Sequence, residues 1–187
     1  MRAPLLLMGF TLIASMSLSL TGCSSASGDP GKPTPTPSAT YAVPAETARP
    51  DETVIKAPVV TDGLMRFRVL AFRDGMASLV GSHAEWPAKG QYVRIRVLVE
   101  SIDRSNQQFD ARQQLAIASD GRSFHIDLAA QTTKRQPFEL VVGSFVRMEF
   151  DLWFDVPKDA EITKMRLFGE PPLGVIGKSK GVEVTIR

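Results

Sequence analysis

The sequence predicts an all-β, antiparallel sandwich of about seven to nine strands, set behind an apolar leader and a proline-rich linker. Three observations predict it. Four long segments alternate apolar and charged residues with period two. Asp-Gly and single glycines punctuate the segments. No segment carries the three-and-four spacing of a long amphipathic helix. A closed barrel is the alternative, because alternation alone does not separate the two.

Residues 1–22 read as a signal peptide and lie outside the fold. Ala3 to Leu20 carries no charge, and Arg2 with the terminal amine supplies the positive flank. An uncleaved membrane helix is the competing reading, since a span needs about 18 apolar residues or more. Leu20-Thr21-Gly22-Cys23 resembles the lipobox of bacterial lipoproteins, in which the cysteine becomes the first mature residue and carries the lipid. The small residues Thr21 and Gly22 favour cleavage between Gly22 and Cys23. Cys23 is the only cysteine, so no disulfide partner exists in the chain, and the nearest histidine is His83. Lipid attachment at Cys23 is the role left. It makes the membrane the first partner and places the chain on the extracytoplasmic face of the cell membrane. A diacylglyceryl group supplies the second acyl chain that stable anchoring needs.

Residues 23–58 read as the lipidated cysteine and a disordered tether. The stretch after Cys23 holds seven of the thirteen prolines and shows no hydrophobic period. Pro33-Thr34-Pro35-Thr36-Pro37 favours polyproline II. Such a tether spans ~110 Å extended or ~30 Å as a coil.

Residues 59–187 read as one domain. Met65, Phe67, Val69 and Ala71 alternate with Arg66 and Arg68. Val93, Ile95, Val97 and Val99 alternate with Arg94, Arg96 and Glu100. Val146, Met148, Phe150, Leu152 and Phe154 lie opposite Arg147, Glu149 and Asp151. Val182, Val184 and Ile186 close the chain in the same way. Each pattern implies one buried and one wet face. Shorter strands are expected at Leu115–Ile117, Ser123–Leu128, Glu139–Val142 and Thr163–Phe168. Asp120-Gly121 is expected to form a tight hairpin with both central residues at positive φ. Pro157 should end the strand before it.

Three stretches carry a resemblance. They are Gly90 to Val97, Gln114 to Phe124 with its Asp120-Gly121 turn, and Gly143 to Pro157 ending Phe154-Asp155-Val156-Pro157. Together they resemble a family of bacterial lipoproteins labelled domain of unknown function 4352, over most of residues 64–187. The resemblance implies an immunoglobulin-like sandwich, similar to a small secreted mycobacterial immunogenic antigen. Val99-Glu100-Ser101-Ile102 departs from it, because members usually carry an asparagine near that strand end. The family has no established chemistry, so the resemblance implies a fold and no reaction.

Charge and motifs exclude several classes. The chain carries 22 basic against 20 acidic residues, and loss of residues 1–22 removes only Arg2. That balance argues against a nucleic-acid partner. Ser123, His125 and Asp127 alternate along one strand face, but neighbours on a face stand about 7 Å apart, too far for a proton relay. His83-Ala84-Glu85 echoes part of a zinc deaminase motif without its cysteine pair. Asp151 and Asp155 are too far apart along a strand for a glycosidase pair. No metal site, cofactor motif or phosphate loop is expected, and no catalytic residue is assigned.

Two features are expected to carry binding. Arg66, Arg68, Arg94 and Arg96 would form a basic patch on neighbouring strands, unless acidic residues on adjacent strands neutralise them. Residues 74–89 read as a long loop bearing Met76, Leu79 and Trp86. Those apolar groups either form a contact surface or cap one end of the core. The expected function is a membrane-anchored, non-catalytic interaction module for an envelope or extracellular protein. The alternatives are an envelope hydrolase built near His83 from Ser82, Glu85 and Asp74, and a small-ligand carrier.

Overall fold

The computed structural model describes residues 47–177 and 179–187. The leader, Gly22, Cys23 and the linker up to residue 46 lie outside the described residues. The chain forms β1 (Thr53–Val54), β2 (Val60–Asp62), β3 (Met65–Val80), β4 (Glu85–Ser101), β5 (Gln107–Asp110), β6 (Leu115–Ala118) and β7 (Ser123–His125). It continues with α1 (Leu128–Thr133), β8 (Glu139–Val142), β9 (Arg147–Val156), β10 (Ile162–Leu167) and β11 (Val182–Thr185).

All pairings are antiparallel. One sheet runs β1-β3-β4-β9, with β2 also against β3. A second runs β11-β10-β6-β7, and β5 pairs with β8 alone. Phe67, Ile95, Leu152 and Phe154 of the first sheet share one apolar core with Ala116, Met165, Leu167 and Val184 of the second. Separate sheets closed over one core make a sandwich and not a barrel. Phe109 from β5 joins this core, with its ring centroid 4.9 Å from that of Phe150.

The alternation has its physical basis in β4. Val93, Ile95, Val97 and Val99 are all at most 1 % exposed and face the core. Gly90 sits in this strand because a Cβ there would collide with the Val156 carbonyl of β9. β9 ends at Val156, directly before Pro157.

Among the described residues eleven strands form, where seven to nine were expected. The excess is in β1, β2 and β5, which span two to four residues and are too short to show a period. The strand expected over Ser123–Leu128 stops at His125, because Asp127 caps α1 by accepting from Ala130 N at 2.7 Å. The β6–β7 hairpin forms, but only Gly121 adopts positive φ, at 88°. The Ala118 carbonyl accepts from Gly121 N at 2.9 Å, so a conventional turn precedes the glycine.

Two further corrections matter for function. Residues 47–58 are packed chain and not tether: Ile55 N donates to the Leu70 carbonyl at 2.8 Å, and Thr53 and Val54 pair with Phe72 and Ala71. Residues 74–89 are not a loop. β3 and β4 run on as a two-stranded ribbon whose turn is 81–84, with register shifts around Met76. Such bulges bend and twist a ribbon away from its parent sheet.

Candidate functional site

The outer face of the first sheet is built from the residues that alternate with the core. Register sets them in rows across β3, β4 and β9: Arg66, Glu100 and Arg147; then Arg68, Leu98 and Glu149; then Arg96 with Asp151; then Arg73, Arg94 and Trp153. Sequence alternation assigns this face to water. Much of it is instead covered by two pieces of chain.

The first cover is the segment entering the domain. Glu52 is fully buried at its side chain and pairs with both Arg96 and Arg94, the latter at 3.2 Å. Arg49 grips Asp151 at 2.7 Å and Glu149 at 2.9 Å. Arg96 also meets Glu149 at 3.0 Å and is only 4 % exposed. Burial pulls the Arg49 guanidinium down, but Asp151 and Glu149 outweigh it and hold its pKa above the ordinary value.

The second cover is α1 and the residues after it. Gln131 is wholly buried, and its amide takes the place of a neighbouring strand on β9. It donates to the Asp151 carbonyl at 3.1 Å and accepts from Trp153 N at 3.1 Å. Gln136 accepts from Asp151 N at 2.9 Å, and Asp127 N donates to the Trp153 carbonyl at 2.8 Å. The outer edge of β9 is therefore closed by side chains and a helix cap. Leu79, Tyr92, Ala130 and Trp153 form a small second core here. Burial, then Asp155 and Asp127, push the Tyr92 phenol above its usual pKa.

Between the twisted ribbon and the α1 region lies a groove of about 580 Å³. One wall is the run of β3 from Arg73 to Val80. Trp153, Arg94 and Asp151 line it from the sheet, and Lys134 and Gln136 face them across it. The Trp153 ring carries two cations, Lys134 Nζ at 5.4 Å and the Arg94 guanidinium at 5.8 Å from its centroid. This is the candidate site: an open groove with an aromatic floor and a strand edge along one side.

The residues expected from sequence divide among several places. Met76, Leu79 and Arg94 line the groove. Trp86 is 52 % exposed on the ribbon strand opposite Leu79. Arg66 and Arg68 line a separate depression of about 410 Å³ with Val59, Leu98, Glu100 and Arg147. Arg96 is buried in the ion network. The four arginines therefore form no shared basic patch: Arg66 meets Glu100 at 3.3 Å, and Arg94 and Arg96 are claimed by Glu52.

Of the residues considered for hydrolysis, Ser82 and His83 lie together in the ribbon turn, but Glu85 and Asp74 are engaged by other partners. His83 lies exposed in the ribbon turn, Glu85 accepts from the Ser78 hydroxyl, and Asp74 pairs with Arg187. His125 Nδ1 contacts the Arg112 carbonyl at 3.0 Å, while Asp127 is committed to capping α1.

Arg73, Lys134, Gln136 and Trp153 were not singled out by sequence. Trp153 did carry a signal: it breaks the charged row Arg147, Glu149, Asp151, Asp155 with a large aromatic at an outward position. Lys134 carried none, because its place follows from a helix too short to show a period.

No family model matches the chain, and no curated protein matches it. Among solved structures, the yjhA protein from Bacillus subtilis is similar at a TM-score of 0.46 and 12 % identity, over 61 % of this chain and 80 % of that one. A secreted protein from Mycobacterium tuberculosis, MPT63, is similar at a TM-score of 0.38 and 14 % identity, over 66 % of this chain and 87 % of that one.

Proposed function

We propose that the chain is a lipid-anchored protein of the extracytoplasmic membrane face, whose sandwich is a non-catalytic module that binds another envelope or extracellular protein. The observation that carries the binding role is the open groove beside the β3 ribbon, with Trp153 as floor and Arg94 and Lys134 about it. Aromatic and cationic side chains in a concave site are the groups that anchor protein contacts. The anchoring role rests on Leu20-Thr21-Gly22-Cys23 behind an uncharged apolar run. The resemblance of residues 64–187 to the lipoprotein family labelled domain of unknown function 4352 fits the same reading.

Two measurements test the reading. Cells fed radiolabelled palmitate should label the wild-type chain and leave Cys23→Ser unlabelled and free of the membrane fraction. Cross-linking in cells followed by purification should recover one envelope protein at levels above a Trp153→Ala control. Equal recovery from both chains would place the contact elsewhere, and membrane retention of Cys23→Ser would remove the anchor.

A further inference from the structure

We propose that the outward edge of β3 from Ser78 to Val80 accepts an extended, carboxylate-bearing peptide as an added strand. This rests on reading the domain as an interaction module and names the partner's form.

The argument begins with Pro87, which lies opposite Ser78 in the ribbon. A hydrogen-bonded antiparallel pair exchanges two N–H···O bonds, and proline has no N–H to give. Ser78 and Pro87 are therefore a non-bonded pair, and the N–H and C=O of Ser78 point away from β4. Two residues on, Val80 shares this phase. An independent contact agrees: the Val80 carbonyl accepts from Lys134 Nζ at 2.6 Å, on the side away from β4. Among the described residues no strand pairs with 73–80 on that side, since β1 meets β3 only at 71–72 and β2 only at 65–67. The ribbon's other edge is blunted by Pro87 and Lys89, a usual defence against strand addition. The β3 edge has neither residue between Gly75 and Val80, and it opens on the groove.

Charge sets the kind of peptide. Arg73 already meets Asp51 at 3.3 Å, and Arg94 meets Glu52 at 3.2 Å. Lys134 is the groove cation that has no carboxylate partner among the described residues. Its ammonium closes the ladder position at Val80. An incoming carboxylate draws that ammonium off, and the Val80 carbonyl then accepts a peptide N–H. Apolar side chains of the peptide rest on Met76 beside the groove. Main-chain ladder bonds give the affinity, and the side-chain contacts give the preference.

The test uses the mature chain from residue 23 with Cys23→Ser, labelled with nitrogen-15. The probe is the blocked peptide Thr-Val-Thr-Glu-Val-Thr, beside versions with Lys or Pro in place of Glu. The expected result is amide shifts confined to 74–80, Lys134 and the Trp153 indole. Binding should fall about tenfold with the Lys peptide or with Lys134→Glu, the worth of one charge-assisted contact. It should vanish with the Pro peptide and with Ser78→Pro. Ser78→Pro removes no ladder bond to β4, so its melting curve should stay close to wild type, and Lys134→Glu, at a half-buried position, serves if it does not.

Shifts elsewhere, or no shifts at millimolar peptide, overturn the proposal. A dimer in sedimentation that Ser78→Pro dissolves also overturns it, by making a second copy the occupant. A partner captured in cells equally by wild type and Ser78→Pro leaves the module reading standing and removes this edge. Peptide binding with no partner captured does the reverse.

Discussion

The two faces of β4 and β9 were written with the same alternation and ended in different physics. On the inner face, Val93, Ile95, Val97 and Val99 meet Leu152 and Phe154 in a dry apolar core. On the outer face, Arg96 and Asp151 are also buried, at 4 % and 7 % exposure, but under a charged segment and a short helix. A period of two says which residues share a face. It does not say whether the second face stays wet, because that depends on what distant chain is laid over it.

The sharpest way to break the comparison is to put outer-face chemistry on the inner face. Phe150→Asp buries a carboxylate among Phe109 and its neighbours with no cation in the core cluster to pair it. The cost is several kcal/mol at least, against a total stability of about 5–15 kcal/mol for such a domain. The expected outcome is loss of the cooperative melting transition, read by circular dichroism. A transition kept near the wild-type Tm would mean that Phe150 does not face the core.

The next effect belongs to the outer face. Glu52→Ala leaves Arg94 and Arg96 buried without their shared carboxylate. Removing one side of a buried pair costs about 3–5 kcal/mol, or a Tm drop of about 10 °C here. The loss should be smaller for Glu52→Met with Arg96→Met, which removes the Arg96 charge together with its partner and leaves only Arg94, 14 % exposed at its side chain, without Glu52. If Glu52→Ala melted like wild type, residues 47–52 would not seal this face.

How much of this was legible follows from the same contrast. The inner face could be read because each apolar residue reports its own position through period. The strand ends at Pro157 and around Asp120-Gly121 could be read because their backbone chemistry is local. The cover of the outer face could not. Glu52 lies more than forty residues before Arg96 in a stretch whose composition matches a linker, and nothing local distinguishes a docked segment from a free one. Of the groove, Met76 and Leu79 were visible as apolar residues of an expected loop, and Arg94 as one of four arginines on neighbouring strands. Its far wall, Lys134 and Gln136, depends on α1, which Asp127 and Gln131 hold through single side chains.

Gln131→Leu gauges that second cover. It keeps the volume and strips bonds from the Trp153 N–H and the Asp151 and Pro137 carbonyls. Unsatisfied buried groups cost about 1–3 kcal/mol each, softened where water enters. The expected result is a Tm drop of about 5 °C and faster hydrogen exchange at the Trp153 amide than at Ile95, which sits mid-sheet between β3 and β9. Equal exchange at the two amides would show that the edge of β9 is protected by something other than Gln131.

The smallest effect comes from the part of the outer face that lacks such a cover. Arg66 and Glu100 meet at 3.3 Å with side chains 45 % and 27 % exposed. Water and salt screen such a pair, so a double-mutant cycle through Arg66→Ala and Glu100→Ala should give a coupling of about 0.5 kcal/mol, falling further in high salt. The equivalent cycle through Arg96 and Glu52 should give several times that and respond less to salt, since those charges lie beneath the segment. The two pairs lie on one face of one sheet, within a few residues of each other on β4. A coupling of equal size at both sites would mean that the segment carrying Glu52 lifts away in solution, and the two faces would then differ only in composition.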